Sequence, residues 1–445
     1  MIEITLSSDH FGALERALLS DDVAEQCVIL YASQTRRSDG LTRLLVRELE
    51  TPAPADYAAQ GEYEAVLTPA CVARVTKRAR RARQSLVFAH SHLGSASPQF
   101  SPADDEGENH LARFLRWRQP GSLHAALVMS RGGLQARELD AGTAARVVVL
   151  GETRSVFSDP SVPAEALATQ FDRQVRAFGE AGQRAIEALR VAIVGLGGTG
   201  SIIAQQLTHL GVRNFVLVDP DVLEETNLNR VVGSVPADVN RAKVDVAADA
   251  ILRLAPKALV LRVPNNVVRA GTARVLTDVD FIFGCTDSHG SRAVLQQVAY
   301  QYLIPCIDMG STIASSDGRL ISAYGRVQLL APGLACLTCS NLLDSEEVRR
   351  DMMSEFEKKS DPYVTGERVR APAVISINGT VSSLAATMFM AVVAGVPSQG
   401  RHLLYDVLRS MLRKVRATPT HNCYICSQAG ALARGDNASL YARDD

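Results

Sequence analysis

Residues 191–230 read VAIVGLGGTGSIIAQQLTHLGVRNFVLVDPDVLEETNLNR, and this stretch decides the fold of the chain. The apolar run Val191–Val194 predicts a short strand, which a glycine-rich turn and a helix-like stretch follow. A second apolar strand, Phe215–Val218, ends at Asp219. Glycines between a strand and a helix let the backbone approach phosphates at the helix N-terminus, where free N–H groups and the helix dipole favour anions. The pattern predicts a nucleotide-binding βαβ unit. Its phosphate-binding glycines are Gly195, Gly197, Gly198 and Gly200.

The residues after Asp219 bear on the nucleotide chemistry. A glycine turn with an acidic residue about 20 positions later fits a dinucleotide dehydrogenase equally well. A dehydrogenase needs little beyond that acid, whereas this chain carries Asn227, Arg230 and Lys243 close behind it. Isolated arginines and lysines are usually solvated surface charges, so these residues by themselves leave both interpretations open.

Composition and charge limit the class of protein. The chain has 445 residues, 47% of them hydrophobic, and a formal net charge of −1. This length allows two or three domains, and the charge gives no indication of a nucleic-acid partner. The basic residues within Lys77–Arg83 are interpreted as a solvated helix face. We find no signal peptide. The longest uncharged apolar stretch, Ser382–Val396, is too short to span a bilayer, so we expect a buried helix, no membrane partner and a cytoplasmic protein.

Strand and helix patterns alternate along the chain, which predicts an α/β fold class. Residues 1–150 form the first predicted domain. Residues 151–165 are rich in Ser, Pro and Gly and are predicted to be a linker. Residues 166–445 form the second domain. There the alternation predicts a mostly parallel, doubly wound sheet with helices on both faces.

Four of the eight cysteines form two C-x-x-C pairs that lie far apart in sequence. In a chain without an export signal, this spacing favours a metal over disulfides and indicates a reducing compartment. Two such pairs are typical of a structural zinc ion held by four thiolates. The predicted ligands are Cys336, Cys339, Cys423 and Cys426.

A second metal site is predicted where residues 90–104 read HSHLGSASPQFSPAD. His90 and His92 end an apolar strand, and period-two geometry puts both imidazoles on one face. Asp104 can complete a three-ligand set, which leaves one position for water, as catalytic zinc requires. Ser101 could hydrogen-bond a developing oxyanion. A lone H-x-H is more often a strand with two surface histidines, and only the full spacing is specific.

This full spacing resembles the JAMM (Mov34/JAB) metalloprotease motif, and the resemblance covers roughly residues 1–145. It implies a catalytic zinc, and it implies that Glu25, upstream of the strand Val28–Tyr31, is the general base. The simpler interpretation of Glu25 is an ordinary carboxylate at a helix end. Leu93 departs from the family, which usually has proline there. JAMM enzymes cleave peptide or isopeptide bonds after ubiquitin-like tails, and this activity is what the resemblance implies.

From about Phe171 onward the chain resembles the ThiF/MoeB-like family, which includes ubiquitin-activating enzymes. Residues 171–176, FDRQVR, look like the opening motif of that family, and the glycine turn follows at the expected distance. The resemblance implies an ATP- and Mg²⁺-dependent adenylyltransferase with a structural zinc knuckle. It assigns Arg173 to the triphosphate of a partner subunit, which implies a homodimer, and Asp219 to the ribose. It assigns Asn227, Arg230 and Lys243 to the phosphates, and Asp287 to Mg²⁺.

Together these motifs predict a bifunctional enzyme. A zinc peptidase would trim or remove a ubiquitin-like protein, and the second domain would adenylate the tail of that protein for conjugation. A conjugating enzyme is a further candidate partner. The first alternative is activation of a sulfur-carrier protein that ends in a thiocarboxylate. It fits the absence of any cysteine between Cys339 and Cys423, where many ubiquitin-activating enzymes carry their thioester cysteine. The second alternative is a non-catalytic scaffold that binds a ubiquitin-like tail.

Overall fold

The structure is a computed structural model that describes residues 2–94, 96–158, 166–354, 357 and 372–444. The chain divides into two compact units. Unit 1 comprises Met1–Glu165 together with Gln301–Leu303 and Ala431–Ser439. Unit 2 comprises the remaining segments, Ala166–Tyr300, Ile304–Gly430 and Leu440–Asp445.

Unit 1 contains an eight-stranded mixed sheet and a separate two-stranded hairpin. In chain order its elements are β1 Ile2–Ser7, α1 Ser8–Leu18, β2 Cys27–Arg36, β3 Thr42–Glu50, β4 Tyr57–Gly61, β5 Glu64–Leu67, α2 Pro69–Ala82, β6 Ser85–Ser91, α3 Pro102–Arg118, β7 Ala125–Ser130, β8 Gly133–Glu138, β9 Ala144–Leu150 and β10 Arg154–Phe157. The strand order is β1-β3-β2-β6-β7-β8-β9-β10, and β1 also pairs with β9. The sheet is covered on both faces, because alternate residues of β2 enter two different apolar clusters, one containing α1 and the other α2 and α3.

Two findings differ from the predicted domain boundaries. Within the predicted linker, Arg154–Phe157 forms strand β10, which pairs antiparallel with β9. The polar residues just before it make a tight turn, in which the Gly151 N–H donates to the Thr153 carbonyl at 3.0 Å. Residues 159–165 of the linker lie outside the described residues. The second difference is that residues 431–439 belong to unit 1, where the Gln301 amide donates to the carbonyls of Gly435 and Ala438 at 2.8 and 2.7 Å.

Unit 2 contains a second eight-stranded sheet, in the order β13-β12-β11-β14-β15-β16-β17-β18. Its elements are α4 Asp172–Glu187, β11 Arg190–Val194, α5 Gly198–Leu210, β12 Asn214–Val218, α6 Lys243–Leu254, β13 Leu259–Val263, α7 Ala270–Val275, β14 Phe281–Gly284, α8 His289–Gln301, β15 Cys306–Ser316, β16 Arg319–Leu330, α9 Ser345–Met352, α10 Ile375–Val393, β17 His402–Asp406 and β18 Met411–Lys414. The strands from β13 to β15 pair in parallel, and those from β15 to β18 pair antiparallel. The predicted βαβ unit is thus β11-α5-β12.

Helix α10 is longer than the apolar stretch from which it was predicted. It begins at Ile375 rather than Ser382, so by its 19-residue length and its composition it could cross a membrane, and 56% of its most apolar window is buried. Its inner face packs in the core of unit 2, where the ring of Phe389 meets that of Phe281 edge to face at a centroid distance of 5.0 Å. The helix therefore occupies the buried position that the sequence predicts.

Candidate functional site

The glycine turn lies at the carboxyl edge of the parallel strands, between β11 and α5. Gly195 has a φ of 90°, and a Cβ there would stand 2.7 Å from the Cys285 carbonyl oxygen. A Cβ on Gly200 would stand 1.8 Å from the Gly195 carbonyl oxygen, so the turn itself requires this glycine. Gly197, the N-cap of α5, differs because a Cβ there would meet nothing within 4 Å. The N-terminus of α5 therefore opens onto free space at Gly197, as an anion site requires.

Asp219 ends β12 and holds the turn in place. Its carboxylate accepts the N–H groups of Leu196 at 2.6 Å and Asp221 at 2.8 Å. Burial raises the pKa of Asp219, although the charge of Lys243 and the two N–H groups oppose this effect. Asp219 therefore already has one clear role, since it ties the glycine turn to the neighbouring strand. The ribose contact assigned to it stays a prediction.

Three predicted phosphate-binding residues come from the segment between β12 and α6 and its junction with α6. The Lys243 ammonium donates at 2.7 Å to Asp221, which lies two residues after Asp219. The Arg230 guanidinium donates to the Thr226 carbonyl at 2.6 Å, and its Cδ would lie 3.5 Å from a Cβ on Gly198. Arg230 thus lies beside the N-terminus of α5. Asn227 is buried, and its side-chain oxygen accepts the Glu224 N–H at 3.2 Å, which shapes the loop that carries Arg230.

Asp287 and Arg173 lie at different ends of unit 2. Asp287 is exposed between β14 and α8, and β14 pairs with β11, so Asp287 lies at the same sheet edge as the glycine turn. Arg173 is exposed on α4, next to Phe171, whose ring would lie 3.3 Å from a Cβ on Gly211 at the C-terminus of α5. A helix of 13 residues is about 20 Å long. Within one chain the structure therefore does not bring Arg173 to the glycine turn.

Asn378 is a residue that the sequence interpretation missed. It lies buried in the first turn of α10, and its amide nitrogen would stand 2.1 Å from a Cβ on Gly198. Its oxygen accepts a hydrogen bond from the Ser311 hydroxyl at 3.0 Å. An asparagine inside an apolar helix was the available signal, because a buried amide needs partners. Asn378 therefore packs against the start of α5 and links it to β15.

The four predicted zinc-binding cysteines come together in unit 2. The Sγ–Sγ distances are 3.6 Å for Cys336–Cys339, 3.7 Å for Cys336–Cys423 and 3.5 Å for Cys339–Cys426. Four sulfurs around one zinc at about 2.3 Å stand about 3.8 Å apart, so this geometry fits the ion. A hydrogen bond with Cys426 lowers the pKa of Cys336 to about 5, as suits a thiolate ligand. The Thr420 N–H also donates to the Cys339 sulfur at 3.2 Å.

The three predicted ligands of the second metal site come together in unit 1. The Nε2 atoms of His90 and His92 lie 3.2 Å apart, and they lie 3.2 and 3.4 Å from the two carboxylate oxygens of Asp104. Two nitrogens bound tetrahedrally to one zinc at about 2.0–2.1 Å stand about 3.3 Å apart. Burial and the neighbouring His90 lower the pKa of His92, which favours the neutral imidazole that binds metals. The residues present therefore fit a zinc ion.

Asp104 is oriented by the N-terminus of α3. The Ser101 hydroxyl accepts the Asp104 N–H at 3.2 Å, and an Asp104 carboxylate oxygen accepts the Ser101 N–H at 2.6 Å. This reciprocal capping box fixes the first turn of the helix. Burial raises the pKa of Asp104, but the contacts with His90 and Ser101 outweigh burial and hold it below its usual range. Ser101 therefore positions a ligand, and its assigned oxyanion contact stays a prediction.

Glu25 lies beside this cluster, just before β2. In the antiparallel pairing of β2 with β6, Cys27 lies opposite His90, and the Gln26 carbonyl accepts the Ser91 N–H at 3.0 Å. Continuing this register places Glu25 opposite His92. The Glu25 side chain is largely buried, and burial raises its pKa to about 7. A carboxyl group with this pKa can take up and release a proton near neutral pH.

The family assignment rests on the match of a family model described as "ThiF family" to residues 171–426, more than half of the 445 residues. The chain belongs to the ThiF family. The ThiF/MoeB-like domain predicted from the sequence is thereby confirmed for this part of the chain. Residues before 171 lie outside the match, so the JAMM-like domain stays a prediction.

Comparison with three relatives shows how much of this chain resembles known proteins. The molybdopterin-synthase adenylyltransferase of Escherichia coli is 26% identical over 265 residues, which are 58% of this chain and 96% of that protein. The SAMP-activating enzyme E1 of Haloferax volcanii is 27% identical over 270 residues, which are 59% of this chain and 91% of that enzyme. A ubiquitin-like modifier-activating enzyme 5 of Oryza sativa is 30% identical over 165 residues, covering 34% of this chain and 37% of that enzyme.

Proposed function

We propose that unit 2 uses MgATP to adenylate the C-terminal carboxylate of a ubiquitin-like or sulfur-carrier protein. The observation that carries the proposal is the open N-terminus of α5 at Gly197, flanked by Arg230 and by the Asp221–Lys243 ion pair, in a chain of the ThiF family. The named relatives are adenylyltransferases or enzymes that activate small modifier proteins. These features favour adenylation over the dehydrogenase interpretation.

The proposed reaction is mostly a matter of positioning and charge. A carboxylate oxygen of the tail bonds to the α-phosphorus of ATP, the bond from that phosphorus to the pyrophosphate oxygen breaks, and the electron pair leaves with pyrophosphate. Positive charge beside the phosphate oxygens stabilises the charge that spreads over them. Arg230 and Lys243 are assigned this role, and Asp287 would hold Mg²⁺. The remote position of Arg173 supports its assignment to the site of a partner subunit, and hence a homodimer.

The fate of the acyl-adenylate separates the two kinds of substrate. The relatives include both a molybdopterin-synthase adenylyltransferase and a ubiquitin-like modifier-activating enzyme. The chain has no cysteine between Cys339 and Cys423. This absence favours a sulfur-carrier substrate, or direct transfer from the adenylate, over a thioester in that segment. Intact mass spectrometry of the small protein after turnover distinguishes a thiocarboxylate from a protein adduct.

Pyrophosphate exchange tests the adenylation proposal. We expect the chain to exchange labelled pyrophosphate into ATP only when a carrier protein with a free C-terminus is present. Asp287→Ala should abolish exchange, and Glu25→Gln, in the other unit, should leave it unchanged. Exchange that requires no carrier protein, or that survives Asp287→Ala, would contradict the assignment.

For unit 1 we propose a zinc-dependent peptidase of the JAMM type that cleaves after the tail of a ubiquitin-like protein. The convergence of His90, His92 and Asp104 supports this proposal, as does Glu25, which interacts electrostatically with His90 and Asp104. A zinc ion held there would supply a water that ionises near neutral pH. Glu25 would accept and return the proton, and the capping box would keep Asp104 oriented. A cytoplasmic setting is proposed with it, since the four cysteine thiols of unit 2 must stay reduced.

Zinc content and cleavage together test this second activity. We expect two zinc ions per chain, one in each unit, and cleavage of a ubiquitin-like protein extended beyond its tail. Glu25→Gln should lower the cleavage rate at least 100-fold while both zinc ions remain bound. One zinc per chain with no cleavage would instead favour the scaffold alternative for unit 1.

A further inference from the structure

A cluster of two arginines and one aspartate lies in unit 2, beside the proposed adenylation site. Asp308, on β15, is 1% exposed. It pairs with Arg326 of β16, and its other oxygen lies 3.3 Å from the Nε of Arg292, in the first turn of α8. Within the part of the chain that the structure describes, Asp308 is the one carboxylate paired with either arginine. The cluster therefore carries a formal charge of +1 in largely buried surroundings.

Register places this cluster at the sheet edge that carries the glycine turn. Gly284, the last residue of β14, pairs with Asp308, and a Cβ on Gly284 would lie 3.5 Å from an Asp308 carboxylate oxygen. The next residue, Cys285, has its carbonyl against Gly195. Asp287, the proposed Mg²⁺ residue, precedes Arg292 by five positions. Consecutive residues at the end of β14 thus contact the cluster and the glycine turn: Gly284 contacts Asp308, and Cys285 contacts Gly195.

The contact between Arg292 and Asp308 is weaker than a hydrogen-bonded ion pair. The Nε of Arg292 and the Oδ2 of Asp308 lie 3.3 Å apart without forming a hydrogen bond, and neither buried atom has another hydrogen-bond partner among the residues that the structure describes. Burying a second cation costs free energy that one carboxylate does not return, so excess buried charge indicates a missing anion. Guanidinium groups bind carboxylates with two parallel hydrogen bonds, which suits them to this class of ligand.

The backbone beside the cluster carries no side chain at Gly310, which lets a guanidinium group approach it. Gly310 pairs with Arg326 across the β15–β16 hairpin, and a Cβ there would stand 2.8 Å from the Nη2 of Arg292. The next pair on the same face is Thr312 with Tyr324, and Thr312 is exposed. Gly310 therefore lets the Arg292 guanidinium lie against the β15 backbone opposite Arg326, one pair away from the exposed Thr312.

We propose that Arg292 and Arg326 bind the C-terminal carboxylate of the protein tail before it is adenylated, and that Asp308 is a positioning residue that holds the two guanidinium groups. The inference deepens the proposed function of unit 2 and rests on it. Adenylation removes the negative charge of the carboxylate when its oxygen bonds to phosphorus. The two arginines therefore hold the free acid and release the acyl-adenylate.

Binding of a synthetic ten-residue peptide ending in glycine, as the free acid and as the C-terminal amide, tests the inference without ATP. We expect the wild-type chain to bind the acid at least tenfold more tightly than the amide. Arg326→Gln and Arg292→Gln should each remove this preference, and Arg326→Lys should restore part of it. Arg319→Gln, at the exposed start of β16, is the matched control and should behave as wild type.

The effects on turnover separate this inference from other roles of the cluster. In pyrophosphate exchange, Arg326→Gln and Asp308→Asn should raise the KM for the carrier protein at least tenfold and leave the KM for ATP within twofold. Equal binding of acid and amide by the wild type would overturn the inference. So would variants that weaken ATP binding instead, or that lower the melting temperature while the preference for the acid persists. Acid-selective binding without any exchange would instead count against the proposed adenylation.

Discussion

Replacing Gly197 or Gly200 with alanine separates what the glycine turn needs for folding from what it needs for ATP. An added Cβ at position 200 would stand 1.8 Å from the Gly195 carbonyl oxygen, so the turn must move by about 1 Å. Overpacking of this kind costs about 1–3 kcal/mol. At position 197 the Cβ meets nothing within 4 Å, and φ is −74°, which alanine adopts readily. The expected cost there is the preference of N-caps for glycine over alanine, about 1 kcal/mol or less.

The loss of MgATP affinity is expected at Gly197, where the cost in stability is small. The space in front of Gly197 is where phosphate oxygens would approach the first N–H groups of α5, within about 3 Å. A methyl group there would block two such charge-assisted hydrogen bonds at about 1.5–3 kcal/mol each. Gly197→Ala should therefore weaken MgATP binding roughly 100-fold or more. Calorimetric titration gives the affinity, and thermal unfolding gives the stability, with about 2–4 °C expected per kcal/mol.

Gly197→Ala should thus mainly lose MgATP binding, whereas Gly200→Ala should mainly lose stability. Gly197→Ala should melt within about 4 °C of the wild type and lose most of the stabilisation by MgATP. Gly200→Ala should melt several degrees lower even without nucleotide. If Gly197→Ala bound MgATP within threefold of the wild-type affinity, the phosphates would not lie at the N-terminus of α5, and the reasoning from the open space at Gly197 would be refuted.

Three further predictions concern metal binding and stability. Burial raises the pKa of Glu3, but three arginines outweigh burial and lower this pKa from 4.5 to about 2. The ionised Glu3 therefore contributes about 3 kcal/mol to folding above pH 4.5, and this contribution is lost as the pH falls toward 2. Glu3→Gln should remove this acid sensitivity and lower the free energy of unfolding at pH 7 by a similar amount in urea titrations; an unchanged pH profile would contradict it. Cys426→Ser should remove one zinc per chain by elemental analysis and lower the melting temperature of unit 2, because structural zinc contributes folding energy, and a full zinc content would count against the four-thiolate site. Ser101→Ala should cost about 1 kcal/mol of helix capping and lower the zinc affinity of unit 1 about 10–100-fold. Ser101→Thr should keep both the helix cap and the zinc affinity. Equal zinc affinity in the two variants would argue against the capping role.

The sequence predicts those parts of the site whose residues are close together or carry a motif. The β11-α5-β12 unit follows from its apolar runs and glycines, and the two C-x-x-C pairs predict the thiolate cluster. The metal ligands of unit 1 are likewise predicted by the spacing of His90, His92 and Asp104. In each case the residue types themselves indicate the local structure, because glycines permit a tight turn and cysteine or histidine pairs at fixed spacing suit a metal ion.

The parts that could not be predicted depend on strand pairing between distant segments. Arg292, Asp308 and Arg326 come from three different elements, and their contact follows only once β15 is known to pair with β14 on one side and β16 on the other. Strand β10 was missed for a related reason. Its four residues follow a polar turn, and composition alone does not distinguish a tight turn between paired strands from a linker.

The return of residues 431–439 to unit 1 has a practical consequence for dissecting this polypeptide. The Asn437 amide donates to the Arg83 carbonyl at 2.9 Å, and the Tyr302 hydroxyl donates to Asp436 at 2.9 Å. A truncation that stops at residue 165 would therefore delete part of unit 1. It would also leave the Arg83 carbonyl without the hydrogen bond that Asn437 provides. Each unit is therefore built from more than one segment of the chain. Inactivating one centre at a time by point substitution, rather than expressing fragments, is the sound way to tell their contributions apart.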